Sequence, residues 1–159
     1  DVDLLAPRVA EVLHREYGAK IIAFSQFPLS FHKKAKQYEY ILSEYHEAPS
    51  REALVRLYQR PTFMLKASRY DARSCAPVEA MKCGTVTVRA IERGDDDLID
   101  MANCRKVGYD FNELLYAAKS IINVPDFRLS LESAAIEYAT RVLNWETRIS
   151  EIENILING

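Results

Sequence analysis

The 159-residue chain is short of several residue types, and each shortage narrows what the protein can be. It has three cysteines, Cys75, Cys83 and Cys104, an odd number with no CxxC and no Cys/His spacing. That pattern serves neither a disulfide framework nor a zinc site, so the thiols are expected to be reduced, in or near the core, as in a cytoplasmic protein. No apolar run approaches a membrane span, and no basic-then-apolar leader opens the sequence. With 21 Lys and Arg against 23 Asp and Glu, the formal charge of -2 offers no basic excess to draw nucleic acid, so no nucleic-acid partner is expected. His14, His32 and His46 stand apart without a neighbouring Cys or His, so no metal and no chemistry is assigned to them. There is no internal repeat and no low-complexity segment. What remains is 48% hydrophobic and 28% charged, the balance of one soluble globular domain with a sizeable core.

The chain alternates between strand and helix patterns. Leu4, Leu5, Val9, Val12 and Leu13 recur at helical spacing until Gly18. AKIIAFS then reads as a buried strand, and YEYILS as a second. Pro49 and Ser50 open a helix with an apolar face of Ala53, Leu54, Leu57 and Tyr58. TFMLKAS is a third strand, the stretch around residues 77–83 a helix ended by Gly84, and TVTVRA a fourth strand, with a short fifth near residues 106–109. Asp110 with Glu113 makes an acidic capping box before Leu114, Leu115, Ala118, Ile121 and Ile122. Pro125 breaks that helix, another follows over about residues 127–143, and Asn144 caps a last one carrying Ile149, Ile152, Ile155 and Leu156. Strands alternating with helices predict an α/β fold, a Rossmann-like parallel sheet with helices on both faces and carboxy-terminal helices closing it. One domain over 1–159 is expected.

One stretch resists a purely structural reading. SRYDARSCAPVEAMKCGTVTV, residues 68–88, places Asp71 and Glu79 where a strand gives way to a helix. Open parallel sheets bind ligands outside the carboxyl ends of their strands. The peptide N–H groups around residues 75–78 (Pro77 has none) can face an anion such as phosphate. A carboxylate beside phosphate repels it, and is better used accepting hydrogen bonds from paired hydroxyls. A phosphate flanked by two polyols describes a nucleotide sugar.

The same stretch resembles the signature of the retaining, nucleotide-sugar-dependent enzymes of glycosyltransferase family four, on the GT-B fold. That pattern runs S-x-x-E-G-F-G-L-x-x-L-E-A-M-A-C-G-x-P-V-V. Here Ser68, Asp71 and Glu79-Ala80-Met81-Lys82-Cys83-Gly84 match it, with the family's E-x7-E spacing. DVDLLAPRVAEVL resembles the helix after the family's Lys-Gly, SREALVRLY its S-x-E-E-L-x-x-L-Y helix, and NWETRISEIENIL its closing F-S-W-E helix, so the likeness spans nearly the whole chain in order. The resemblance implies that Glu79 holds the ribose hydroxyls and Asp71 those of the donor sugar. It implies a donor-lining backbone over Ala72, Arg73, Ser74, Cys75 and Ala76, and a base near the end of the second strand, about Ser43 and Tyr45. The donor would be a nucleoside diphosphate sugar, with no further cofactor and no metal.

Two departures stand out. The family's Gly-Phe-Gly is Ala72-Arg73-Ser74 here, which removes two glycines that let a backbone approach a ligand. Arg73 can instead reach the diphosphate. The family's diphosphate-binding Arg and Lys, its first strand and its acceptor domain all precede the helix at which this sequence starts, so the chain resembles a carboxy-terminal piece. Asp95-Asp96-Asp97 resembles a metal-binding run of the other glycosyltransferase fold, but it follows Ile-Glu-Arg-Gly rather than an apolar strand and is read as a helix start. The altered loop also fits a non-catalytic Rossmann-like module kept for nucleotide or protein contacts. Lys33, Lys34 and Lys36 read as a solvated face, with peripheral contact to anionic lipid as the alternative.

Overall fold

Strand and helix patterns alternate in the structure as they do in the sequence. The computed structural model describes residues 4–71, 75–94, 98–142 and 144–158. Helix α1 (Leu5–Tyr17) leads into β1 (Ile21–Ser25), and two 3-10 segments, Leu29–Phe31 and Ala35–Ile41, connect to β2 (Leu42–Glu47). α2 (Arg51–Tyr58) precedes β3 (Phe63–Asp71), and α3 (Cys75–Lys82) precedes β4 (Val86–Gly94). β5 (Arg105–Val107) is followed by α4 (Phe111–Asn123), α5 (Pro125–Val142) and α6 (Trp145–Asn158).

Local chemistry sets most of these boundaries. Gly18 ends α1 in the left-handed region, φ 62°, where its N–H reaches back to the His14 carbonyl. The Ser50 hydroxyl accepts the Ala53 N–H at the start of α2. Asp110 accepts the N–H groups of Asn112 and Glu113, but Glu113 departs from the capping box. Its carboxylate takes the N–H of Gly108 instead of that of Asp110. Pro125 starts α5 rather than merely ending α4, because a missing N–H costs nothing at a first helical position.

All strand pairs among the described residues are parallel, and β4 shows why the core forms where it does. Val86, Val88 and Ala90 share one hydrophobic cluster with Leu5, Val9 and Leu13 of α1 and Leu114, Ala117, Ala118 and Ile121 of α4. The alternate residue Thr87 donates its hydroxyl to the Pro77 carbonyl of α3 at 3.3 Å. A second cluster on that side joins Val78 and Met81 of α3 to Ala135 and Ala139 of α5. Helices therefore cover both faces, as period-two alternation in a doubly buried strand requires.

Two expectations need correction. The strands form two ladders, β1-β2 and β3-β4-β5, rather than one sheet, and among the described residues no ladder joins β1 to β3. β1 is half-buried along its whole length although its sequence reads as a buried strand. The predicted strand YEYILS is mostly the 3-10 segment Ala35–Ile41, in which only Ile41 is buried, and β2 begins at Leu42. A short apolar run does not by itself distinguish a strand from a helical turn.

Candidate functional site

β3 outlasts its apolar core by three polar residues. Arg69, Tyr70 and Asp71 continue the strand because they lie along β4 as far as the pairing of Asp71 with Gly94. Arg69 also bonds Glu92 at 3.3 Å and lies over the Tyr109 ring. Gly94 adopts φ 104°, and a Cβ there would fall 1.7 Å from the Asp71 carbonyl oxygen. Only glycine permits that approach. Asp71 is thus the last residue of the strand, held by the neighbouring backbone.

Among the described residues its carboxylate meets two cations. Lys66 Nζ lies 2.7 Å from Asp71 Oδ2, and Arg89 Nη2 lies 3.5 Å from the same oxygen. The Arg89 side chain is fully buried. Burial draws its pKa down, and the charge of Asp71 opposes that. Asp71 is therefore first a counter-ion for a buried guanidinium. That role was not visible in the sequence, because Lys66 and Arg89 sit inside apolar strands and converge only through the β3–β4 register.

Glu79 is placed differently. Pro77, Val78, Ala80 and Met81 are buried, which leaves Glu79 on the outward side of α3. It accepts a hydrogen bond from the Tyr58 hydroxyl at 3.2 Å. Tyr58 is buried, its ring meets Phe24 of β1 edge-on at 5.6 Å, and its carbonyl accepts the Thr85 hydroxyl. Burial, with the Glu79 charge second, pushes the Tyr58 phenol far above its ordinary pKa, so it stays a donor to the carboxylate. One tyrosine thereby links α2, β1 and the acid on α3. In the sequence Tyr58 reads only as part of an apolar face, and its sole polar signal is a hydroxyl at the end of that face.

Cys75 is exposed at the first residue of α3 and Ala76 is half-buried. Ala72, Arg73 and Ser74, like the run at residues 95–97, lie outside the described residues. Because β2 starts late, Ser43 is its second residue, exposed, and Tyr45 lies mid-strand; neither marks the carboxyl end, which is Glu47. The Tyr45 hydroxyl donates to the Phe27 carbonyl at 2.6 Å. The thiols also need a correction. Cys104 is buried and Cys83 half-buried, but Cys75, the first residue of α3, is exposed. An open depression of about 760 Å³ lies at the carboxyl ends of β4 and β5, between Gly94 and Gly108, with Arg93, Asp100 and Lys106 on its walls. It adjoins the Asp71–Gly94 pair but does not include Glu79. Among the described residues no three His, Cys, Asp or Glu side chains gather as a metal site.

No family model and no curated protein sequence matches the chain. Solved structures do. A point mutant of S. aureus TarM, in complex with fondaparinux, alpha-GlcNAc-glycerol and UDP, superposes with a TM-score of 0.74 at 17% identity, over 94% of this chain and 31% of that one. A second TarM structure gives 0.75 at 16% identity, again over 94% of this chain and 31% of that one. The carboxy-terminal domain of a group 1 glycosyltransferase, LpcC from Francisella tularensis, gives 0.70 at 13% identity, over 86% of this chain and 76% of that one. The chain spans about a third of TarM and most of the isolated LpcC domain. Its fold is that of the carboxy-terminal domain of a GT-B glycosyltransferase.

Proposed function

We propose that this chain is the donor-binding domain of a retaining glycosyltransferase, which moves a sugar from a nucleoside diphosphate to an acceptor. The observation that carries the reading is Glu79. It is an exposed carboxylate on the helix after β3, oriented by a buried tyrosine, in a fold shared with a protein crystallised with UDP. An acid so held accepts the paired hydroxyls of a ribose. Asp71, at the strand's carboxyl end, is assigned to the donor sugar, and Arg73, outside the described residues, to the diphosphate, because a guanidinium offers a fork of donors suited to phosphate oxygens. The chemistry is positioning together with stabilisation of the leaving diphosphate, and uses no metal. A further parallel strand lies between β1 and β3 and an acceptor domain lies upstream; the split between the two ladders supports the first of these.

A second reading has its own support. The ion contacts from Lys66 and Arg89 give Asp71 a structural task, as in a module that binds a nucleotide without turning it over. Titration calorimetry of UDP and of UDP-sugars against the full-length protein separates the two. Glu79→Ala is expected to weaken the bare nucleotide about ten- to a hundredfold, the loss of one charge-assisted hydrogen bond. Asp71→Asn is expected to weaken the sugar nucleotide more than the bare one. Nucleotide affinity unchanged in Glu79→Ala defeats the donor-site reading; bare and sugar nucleotides weakened equally by Asp71→Asn favours the module.

A further inference from the structure

The connection between β1 and β2 takes no part in the site above, yet it is built with care. Residues 26–40 carry three lysines against one glutamate, Glu39, within a chain of net charge -2. Lys33, Lys34 and Lys36 are all exposed. Beside them Phe27 is 51% and Phe31 66% exposed, their rings stacked at 4.8 Å between centroids. Two phenylalanines left in water forgo the main driving force of folding, so their place demands a reason.

Polar bonds hold them there. The Ser25 hydroxyl accepts the Phe27 N–H at 3.1 Å and bonds His32 Nε2 at 2.9 Å. The Tyr45 hydroxyl fixes the Phe27 carbonyl at 2.6 Å. The His32 ring stands edge-on to both phenylalanines. The aromatic pair is thus anchored through its backbone while its faces stay outside the fold.

The occupant must offer an apolar phase and negative charge together. A protein surface is a poor match, because protein interfaces favour arginine and are depleted in lysine. An anionic bilayer supplies both, since rings settle at the boundary of headgroups and acyl chains while lysine stems lie along it and place their ammonium groups among the headgroups. We propose that this connection is a membrane-contact surface, with Phe27 and Phe31 entering an anionic bilayer and Lys33, Lys34 and Lys36 on its headgroups. A patch of this size gives reversible attachment. The proposal is independent of the donor site.

Co-sedimentation of the chain with vesicles tests it, comparing phosphatidylcholine alone with phosphatidylcholine containing phosphatidylglycerol. Binding is expected only to the anionic vesicles, and to fall with added salt. Neutralising the three lysines to glutamine is expected to cost about fivefold each. Phe27→Ser with Phe31→Ser is expected to cost about tenfold or more, and Phe31→Ser alone serves if the double variant loses its circular dichroism. Failure of the wild-type chain to bind anionic vesicles overturns the proposal and assigns the patch to a protein partner. Binding that is indifferent to loss of the phenylalanines also overturns it, as adsorption by charge alone. So does equal binding to neutral vesicles.

Discussion

The two acids of the site differ most sharply in what they hold up. Removing the Asp71 carboxylate takes a counter-ion from a fully buried guanidinium and a second contact from Lys66, so Asp71→Ala is expected to destabilise the chain more than loss of an exposed acid does. Glu79 is exposed and bonds one hydroxyl, so Glu79→Ala is expected to cost under about 1 kcal/mol. Urea unfolding of the two alanine variants checks this; equal midpoints would show that Asp71 carries no structural load. The thiols offer an independent test of burial. Cys75 is exposed, whereas burial raises the pKa of Cys83 and pushes that of Cys104 up to about 12. Since the thiolate is the reactive form, a disulfide reagent at neutral pH is expected to label Cys75 quickly, Cys83 slowly and Cys104 only after unfolding. Rapid labelling of all three in the folded chain would contradict the packing around β5. Glu79 was legible as a site candidate because its helix neighbours have a recognisable pattern. The Lys66–Asp71–Arg89 contact was not, since three charges spread over 24 residues meet only through strand register.

At the scale of elements, boundaries marked by a local hydrogen bond were the readable ones. Ser50, Asp110 and Gly18 each act within a few residues of themselves, so sequence spacing suffices to find them. Asp110 satisfies two N–H groups of α4, a helix whose Leu114, Ala117, Ala118 and Ile121 are buried against β4. Asp110→Ala is therefore expected to lower stability by about 1 kcal/mol, and Asp110→Asn to restore most of it, as read by thermal melting. No difference between Ala and Asn would mean that the cap contributes nothing. β2 starts later than its pattern predicts, because Tyr38, Tyr40 and Ile41 suit a strand but lie in the 3-10 segment, where only Ile41 is buried. The apolar stripe of α6 is likewise exposed rather than packed among the described residues. Ile149, Ile152, Ile155 and Leu156 are between 50% and 78% exposed, so helical periodicity identified the helix without identifying a partner.

For the whole molecule, the central feature is the inequality of the two ladders. β4 is buried along most of its length and paired on both edges, whereas β1 and β2 form a two-stranded ladder whose residues are half-buried or exposed. Two paired strands have little independent stability. Native-state hydrogen exchange is expected to be slowest in residues 86–91 and at least tenfold faster in residues 21–25, reflecting local opening of the smaller ladder. Uniform protection across β1 and β4 would show that the two ladders open as one unit.

The sequence by itself determined the class of fold, the parallel sense of the strands, the caps at Gly18, Ser50 and Asp110 and the place of Glu79 on its helix, because each depends on residue order, on periodicity or on groups a few residues apart. Only the tertiary structure decided that the strands separate into two ladders, that Asp71 answers a buried arginine, that Tyr58 orients Glu79, and that Phe27 and Phe31 stand outside the core. Those outcomes depend on which elements come to lie beside one another, and burial, pairing and charge balance are properties of that arrangement rather than of any single stretch of chain.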